Sequence, residues 1–431
     1  MSTTTTENIV GRGNREGAEL FRDWFKELNQ TAEEGKGAAY VFVMGSFNEI
    51  LKSFDLPVVF PEINSLQTAV RRVAQEYLEE AEDHGYSPDI CGYVKADIGT
   101  QLRGGEHPMG RIPKPTISVL TNACNTYLKW AEAWERMYEM PVVTIDIPGN
   151  RSAGGASAIG SRDFKNDVEY VEAQICELIT VCEKVTGKKF DIDKLREVMG
   201  HVNGLSSSWQ KLLDLNKNHP SVFNALTDGT IFLGVANGLR GDERAAKYFE
   251  DLVEEMEYKV AHDIGTITEE EWRLCFVGVP CYPIFRRFNE MFSEWKGTFV
   301  HSTYLWFASG GSNLGYQYDL SDPIASLAEG NLISVRDAMD SMFHHDTVVE
   351  SMIDGFGIDG IIYHPIKSCR TVSTGLADGR RALAERTGIP SLFLESDMMD
   401  QRVVSEAQMK NRVDAFFEGM VARRQQNKIT K

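Results

Sequence analysis

Short apolar runs bounded by turn residues alternate along this chain with longer stretches whose apolar residues recur every three to four positions. That alternation leaves few architectures open, because parallel strands need a crossover between them and the crossover is usually a helix. Before residue 150 the runs Ala38–Gly45, Thr116–Thr121 and Pro141–Ile147 read as buried strands. Between them, Asn64 or Ser65 is placed to cap a helix carrying Leu66, Val70, Val73 and Tyr77, and an aromatic helix follows Cys124 through Trp130, Trp134 and Met137. From about Asp163 to Tyr258 the pattern is helical, with Val168, Val171, Ile175, Leu178 and Cys182 on one face. Strand signals return at Arg273–Val279, Thr298–Phe307, Ile358–Tyr363 and Ser391–Glu395, and a last helix over Ser405–Ala422 presents Met409, Val413, Phe416 and Met420.

The chain is therefore expected to be α/β, with two Rossmann- or flavodoxin-like parallel-sheet lobes and a helical segment between them. Residues 1–162 form the N-terminal lobe with Cys91 and Cys124, 163–268 the helical segment, and 269–431 the C-terminal lobe with Cys369. Gly149–Ser161 reads as a loop, and the polar tail from Arg423 as a frayed end. No apolar run approaches the ~18 residues of a spanning helix, and the opening Met1–Asn8 has no signal-peptide character, so the expected compartment is the cytoplasm. A formal charge of −18 disfavours nucleic acid and anionic membrane surfaces as partners. Seven cysteines without a secretory signal argue against a disulfide framework.

Three of those cysteines stand at junctions. Cys91 follows a turn-rich Ser87-Pro88-Asp89-Ile90, Cys124 lies where a strand gives way to a helix, and Cys369 sits in His364-Pro365-Ile366-Lys367-Ser368-Cys369-Arg370. Ligands of open α/β sheets bind at the carboxyl ends of the strands, which places Cys124 and Cys369 on the functional edge. Their spacing matches no ferredoxin or zinc-finger pattern, so on spacing alone scattered core thiols are favoured over a shared metal site. Cys176, Cys182 and Cys275 read as core thiols, and Cys281 as packing with a cleft-facing alternative. His344 and His345, beside Asp346, read as an exposed turn, and His301 as a satisfied core histidine. Glu49 and Glu62 are carboxylates in apolar surroundings, suited either to proton transfer or to a structural hydrogen bond. Gly310, Gly311 and Gly315 match no nucleotide fingerprint, so ATP hydrolysis is expected of another chain.

The segments AEDHGYSPDICGY, LTNACNTYLKW, PVVTIDIP, FVGVPCYP and IKSCR, taken in order, resemble the catalytic subunits of the benzoyl-CoA reductase / 2-hydroxyacyl-CoA dehydratase family, from about Val41 to about Gly419. The resemblance implies that Cys91, Cys124 and Cys369 hold a 4Fe–4S cluster with one iron open to water or substrate. It further implies a homologous cluster-binding subunit, a separate iron–sulfur ATPase activator and an aryl-CoA or acyl-CoA substrate. Glu62, and less strongly Glu49, are then candidate proton donors or enolate-side contacts. Lys367 and Arg370 either tune the cluster or reach an anionic part of CoA, or else form surface ion pairs. Tyr93–Gly99 and the stretch from Glu395 to Phe417 look like the larger reductase subunit, whereas Gly278–Pro283 looks like the dehydratase α subunit. Dehydratase α subunits tend to carry a serine just before the segment matching Gly45–Glu49, where this chain has Met44, although their Pro-Glu pair is present as Pro61-Glu62. The expectation is a benzoyl-CoA reductase subunit, with a 2-hydroxyacyl-CoA dehydratase subunit second and a non-catalytic scaffold third.

Overall fold

The computed structural model describes residues 9–149 and 157–429. The chain opens with α1 (Arg12–Glu33) and then builds β1 (Ala38–Val41), α2 (Asn48–Ser53), β2 (Val58–Val59), α3 (Pro61–Val70), α4 (Ala74–Asp83), α5 (Gly92–Leu102), β3 (Pro115–Thr121), α6 (Asn125–Tyr138) and β4 (Val142–Ile145). Four helices follow: α7 (Arg162–Thr186), α8 (Ile192–Leu215), α9 (Thr227–Gly238) and α10 (Glu243–Ala261). The second sheet is assembled from β5 (Trp272–Gly278), α11 (Phe285–Ser293), β6 (Gly297–Ser302), α12 (Thr303–Phe307), α13 (Pro323–Phe343), α14 (His345–Phe356), β7 (Gly360–His364), α15 (Arg370–Ser373), α16 (Leu376–Thr387) and β8 (Ser391–Phe393), and α17 (Glu406–Ile429) closes the fold.

Both sheets are parallel, and they share one topology. The first runs β2-β1-β3-β4 and the second β6-β5-β7-β8. In each, the chain reverses its direction of travel between the two central strands, and the crevice outside the carboxyl ends at that reversal is where such sheets bind ligands. The expected two parallel-sheet lobes are present. The strands β1, β5 and β7 are buried on both faces, as the interior of a helix-covered parallel sheet requires, whereas the edge strands β4 and β8 are only partly covered. The intervening helices do not stand apart from the first lobe: α1 packs on α9 and α10, with Gly13 and Gly17 admitting Leu252 and Tyr248 at close range.

Several local expectations are corrected. The segment from Asn64 to Tyr77 is two helices, not one. Pro61 occupies the first turn of α3, Asn64 and Ser65 lie buried inside it, and Arg72 (φ 61°) breaks the chain before α4. Strand β6 ends at Ser302 rather than Phe307, because the Ser302 hydroxyl accepts from the Tyr304 N–H and starts α12. The two-residue β2 gave no readable pattern. Helix α17 continues past Arg423, which donates to the Gly388 carbonyl, and Arg424 lies 3.5 Å over the Trp272 ring. Cys176 is exposed on α7, on the side opposite buried Val171, Ile175, Leu178 and Cys182. His344 is exposed, but His345 is buried at the start of α14. His301 is a core residue packed 4.7 Å from the Phe356 ring, yet neither ring nitrogen has a hydrogen-bond partner among the described residues, so it is not a satisfied one. Most of the Gly149–Ser161 loop lies outside the described residues.

Candidate functional site

The carboxyl ends of the central strands of both sheets open onto one cavity of about 470 Å³, within the range of small-molecule sites. Cys91, Cys124 and Cys369 all line it. Each stands at the N-cap of a helix: Cys91 before α5, Cys124 between β3 and α6, Cys369 beyond β7 before α15. The backbone N–H groups of Tyr93 and Val94 face the Cys91 sulfur, and those of Thr371 and Val372 face the Cys369 sulfur, which favours thiolate at both. Burial outweighs this and pushes the Cys369 thiol up to about 11 and Cys91 well above its ordinary value, with the neighbouring thiols adding to the shift. Three soft sulfur donors thus face a common space from three separate elements, a donor set of the kind that could hold a thiophilic metal group.

Polar contacts within the fold fix each thiol's position. Buried Asp97 on α5 accepts from the indole N–H groups of Trp130 and Trp134 on α6, both at 2.7 Å, and from Gln101 at 3.0 Å, so the helices capped by Cys91 and Cys124 are tied side by side. Fully buried Lys95 donates to Glu82 and to the Pro88 carbonyl, both at 2.8 Å, and Arg402 from the second lobe reaches the same Glu82 at 2.7 Å. That network anchors the turn leading into Cys91 to both lobes. Asp397, also buried, accepts from the backbone N–H groups of Ser368, Met399 and Asp400, which holds the Cys369 loop against the segment after β8.

Glu62 lies in the first turn of α3, at the floor of the cavity. Its Oε1 accepts from the Tyr127 hydroxyl at 2.6 Å and its Oε2 from the Val43 N–H at 2.8 Å. Burial pushes its pKa up to about 7, against the opposing pull of those two donors. Tyr127 is three residues beyond Cys124 on the first turn of α6, so one helix start supplies both a thiol and the carboxyl group's partner. Gly45 (φ 83°) passes so close to β3 that a Cβ there would sit 2.4 Å from Thr121, and this turn directs Met44 into the cavity wall.

Glu49 is not brought to the cavity. It is buried on α2, where Arg240 donates to it at 2.7 Å, with Tyr318 nearby. Truncating one member of a buried ion pair strands the other, so Glu49→Ala is expected to lose about 3–5 kcal/mol of stability, measured by denaturant unfolding. Lys367 is exposed and faces Glu395 at 3.7 Å, while Arg370 lines the mouth of the cavity with Lys129. Cys182, Cys275 and Cys281 are buried away from the cavity lining; Cys281 lies 3.5 Å from the Ser396 hydroxyl. Sequence reasoning missed Tyr127, Tyr304 and Asp397. Only Tyr127 carried a signal, its place one turn from Cys124.

Residues 46–420 match the family model for the 2-hydroxyglutaryl-CoA dehydratase D-component. The chain is 31% identical over 428 residues to a benzoyl-CoA reductase subunit of Thauera aromatica, covering 97% of each chain. It is 29% identical to the (R)-phenyllactyl-CoA dehydratase alpha subunit of Clostridium sporogenes, covering 88% of each, and 25% identical to the alpha subunit of (R)-2-hydroxyglutaryl-CoA dehydratase of Acidaminococcus fermentans, covering 92% of this chain and 94% of that one. All three relatives are named as subunits of enzymes that act on CoA thioesters.

Proposed function

The chain belongs to the 2-hydroxyglutaryl-CoA dehydratase D-component family, and on that premise we propose that it is a cluster-binding catalytic subunit of an ATP-dependent benzoyl-CoA reductase. In this reading Cys91, Cys124 and Cys369 hold a 4Fe–4S cluster. The observation that carries it is the meeting of three N-cap thiols and one raised-pKa carboxyl group in a single cavity at the carboxyl ends of both sheets. Among the described residues no three His, Cys, Asp or Glu side chains close on one metal ion. Thiols spread around a cavity wall suit a multi-iron group better than a single ion. When bound, a cluster with one iron free of protein ligands supplies low-potential single electrons and a Lewis-acid site.

The chain's own residues supply the rest. Met44, Val279, Phe307 and Met398 give the cavity apolar walls that accommodate a ring and exclude water. Glu62 holds a proton at its carboxyl oxygen, ready for a substrate on which negative charge develops. Lys129 and Arg370 place cations at the exposed mouth, where the phosphates of a CoA arm would lie. Partners are a homologous subunit and a separate iron–sulfur ATPase, since this sequence has no phosphate-loop motif. A cytoplasmic location is part of the same reading; no helix among the described residues is long and apolar enough to cross a membrane.

The second reading is a 2-hydroxyacyl-CoA dehydratase subunit, favoured by the dehydratase alpha subunits among the relatives and by Pro61-Glu62. Met44, where a hydroxyl side chain would otherwise face the cavity, and the match to the Thauera aromatica reductase subunit weigh for the reductase. A scaffold role is disfavoured by the three convergent thiols. An anaerobic assay of the chain with its partner subunit and activator is expected to reduce benzoyl-CoA to a cyclic dienoyl-CoA and to leave a 2-hydroxyacyl-CoA unchanged. Dehydration of the hydroxyacyl thioester without ring reduction would move the assignment to the second reading.

A further inference from the structure

Thr371 stands two residues past Cys369 in the first turn of α15, and it lines the cavity. Its two donor groups serve two different sulfurs. The backbone N–H faces the Cys369 sulfur, in the same lobe. The hydroxyl Oγ1 lies 3.6 Å from Cys124 Sγ, within hydrogen-bond range for the larger sulfur atom, and Cys124 comes from the first lobe, 247 residues away in sequence. A helical threonine commonly turns its hydroxyl back to the carbonyl four residues earlier, as Thr374 does to Arg370 at 2.7 Å. Thr371 does not. The carbonyl four places before it belongs to Lys367, outside α15, and among the described residues its hydroxyl meets the Cys124 sulfur instead. Metal ligation fixes the direction of that contact. A free thiol can give its weak S–H to the oxygen, but a metal-bound thiolate has no proton, so the hydroxyl donates and the sulfur accepts.

We propose that Thr371 is a positioning residue for the metal site: its hydroxyl donates to the Cys124 thiolate, holds that ligand in place beside Cys369, and makes the bound cluster easier to reduce. The inference rests on the reading that Cys91, Cys124 and Cys369 hold a 4Fe–4S cluster. The positioning follows from the connectivity, since one residue of the second lobe contacts a sulfur from each lobe. The effect on reduction follows from charge. An added electron puts more negative charge on the ligand sulfurs, and a donor aimed at one of them stabilises the reduced state more than the oxidised one. Val279, Val372 and Met398 make the adjoining cavity wall apolar, where such a bond is stronger than in water.

The test uses the full chain isolated anaerobically with its partner subunit, as wild type, Thr371→Val, Thr371→Ala and Thr371→Ser. Iron and sulfide are determined first, and the midpoint potential is then followed by EPR during a reductive titration, with the unaltered partner as internal reference. Thr371→Val and Thr371→Ala are each expected to shift the reduction equilibrium roughly five- to tenfold toward the oxidised form, the value of one neutral hydrogen bond, which is a fall of about 40–60 mV for one electron. Thr371→Ser keeps the hydroxyl and is expected to stay near wild type. Thr374→Val, which removes a hydroxyl that serves its own helix, should leave the potential unchanged. A wild-type potential in a cluster-bearing Val or Ala variant would overturn the proposal and leave the cluster reading intact. An equal fall in Thr371→Ser would overturn it too, by tracing the effect to packing rather than to the hydroxyl. Loss of the cluster from both hydroxyl-free variants, with full iron in Thr371→Ser, would support the hydroxyl as what holds Cys124 in place. A wild-type protein that neither contains iron nor accepts a cluster on reconstitution would remove the cluster reading and the proposal with it.

Discussion

Anaerobically purified Cys91→Ala, Cys124→Ala and Cys369→Ala proteins are each expected to lose most of their iron, whereas Cys182→Ala and Cys275→Ala keep it. The contrast follows from where the thiols lie. The first three line one cavity at helix N-caps, and a methyl group there offers no ligand. Cys182 and Cys275 are buried outside the cavity lining, where removal of the sulfur costs only packing. Thiolate binding to metal also releases protons, so the wild-type protein is expected to shed iron as the pH falls, most steeply in the presence of a chelator. Iron and acid-labile sulfide analysis, with unfolding curves to establish that each variant is folded, checks the whole set. Full iron content in Cys369→Ala would remove Cys369 from the ligand set and with it the only contribution of the second lobe's strands to that set.

The architecture was legible because parallel sheets bury both faces of their strands and so write continuous apolar runs, as at Thr116–Thr121 and Arg273–Val279. What escaped was decided by side chains meeting backbone. Ser302 ends a strand whose apolar pattern runs on to Phe307, and Arg72 splits a helix whose apolar spacing is unbroken. The thiol trio could be singled out by turns and strand ends, but Cys91 and Cys369 lie 278 residues apart in sequence, and only the two packed sheets bring them to one cavity. The two glutamates show the limit most clearly. Glu49 and Glu62 have equally apolar neighbours in sequence, yet Arg240, 191 residues from Glu49, turns that carboxylate into half of an ion pair. No local pattern carries that information. Tyr304 was hidden for the same reason, since its helix begins where a strand was expected.

Glu62→Gln is expected to lower turnover by ~10²–10⁴-fold while leaving iron content and thioester affinity near wild type. The carboxyl group is desolvated at the cavity floor, and burial lifts its pKa from an ordinary 4.5 to about 7, so near neutral pH it is present as both acid and base. An acid poised there can deliver a proton where negative charge grows on a substrate that the apolar walls keep from water. Glutamine keeps the shape and both contacts: its carbonyl oxygen can accept from the Val43 N–H and its amide can donate to the Tyr127 oxygen. It cannot give up a proton. The same shift fixes the pH dependence. Because the folded-state pKa lies above the unfolded one, the folded state holds the proton more tightly between pH 4.5 and about 7. Stability therefore falls as pH rises through that window, by up to about 3 kcal/mol, and stays low above it. In Glu62→Gln this part of the pH dependence is expected to vanish, leaving the variant at least as stable as wild type at pH 8. The wild-type rate should decline as pH rises past about 7, and the residual rate of the variant should lack that limb. Denaturant unfolding at pH 5 and pH 8, with steady-state rates across the same range, separates a proton donor from a structural tie. A purely structural Glu62 would leave the rate and its pH profile intact in Glu62→Gln, and the carboxyl group would then have to be assigned to fixing the turn at Val43 against α3.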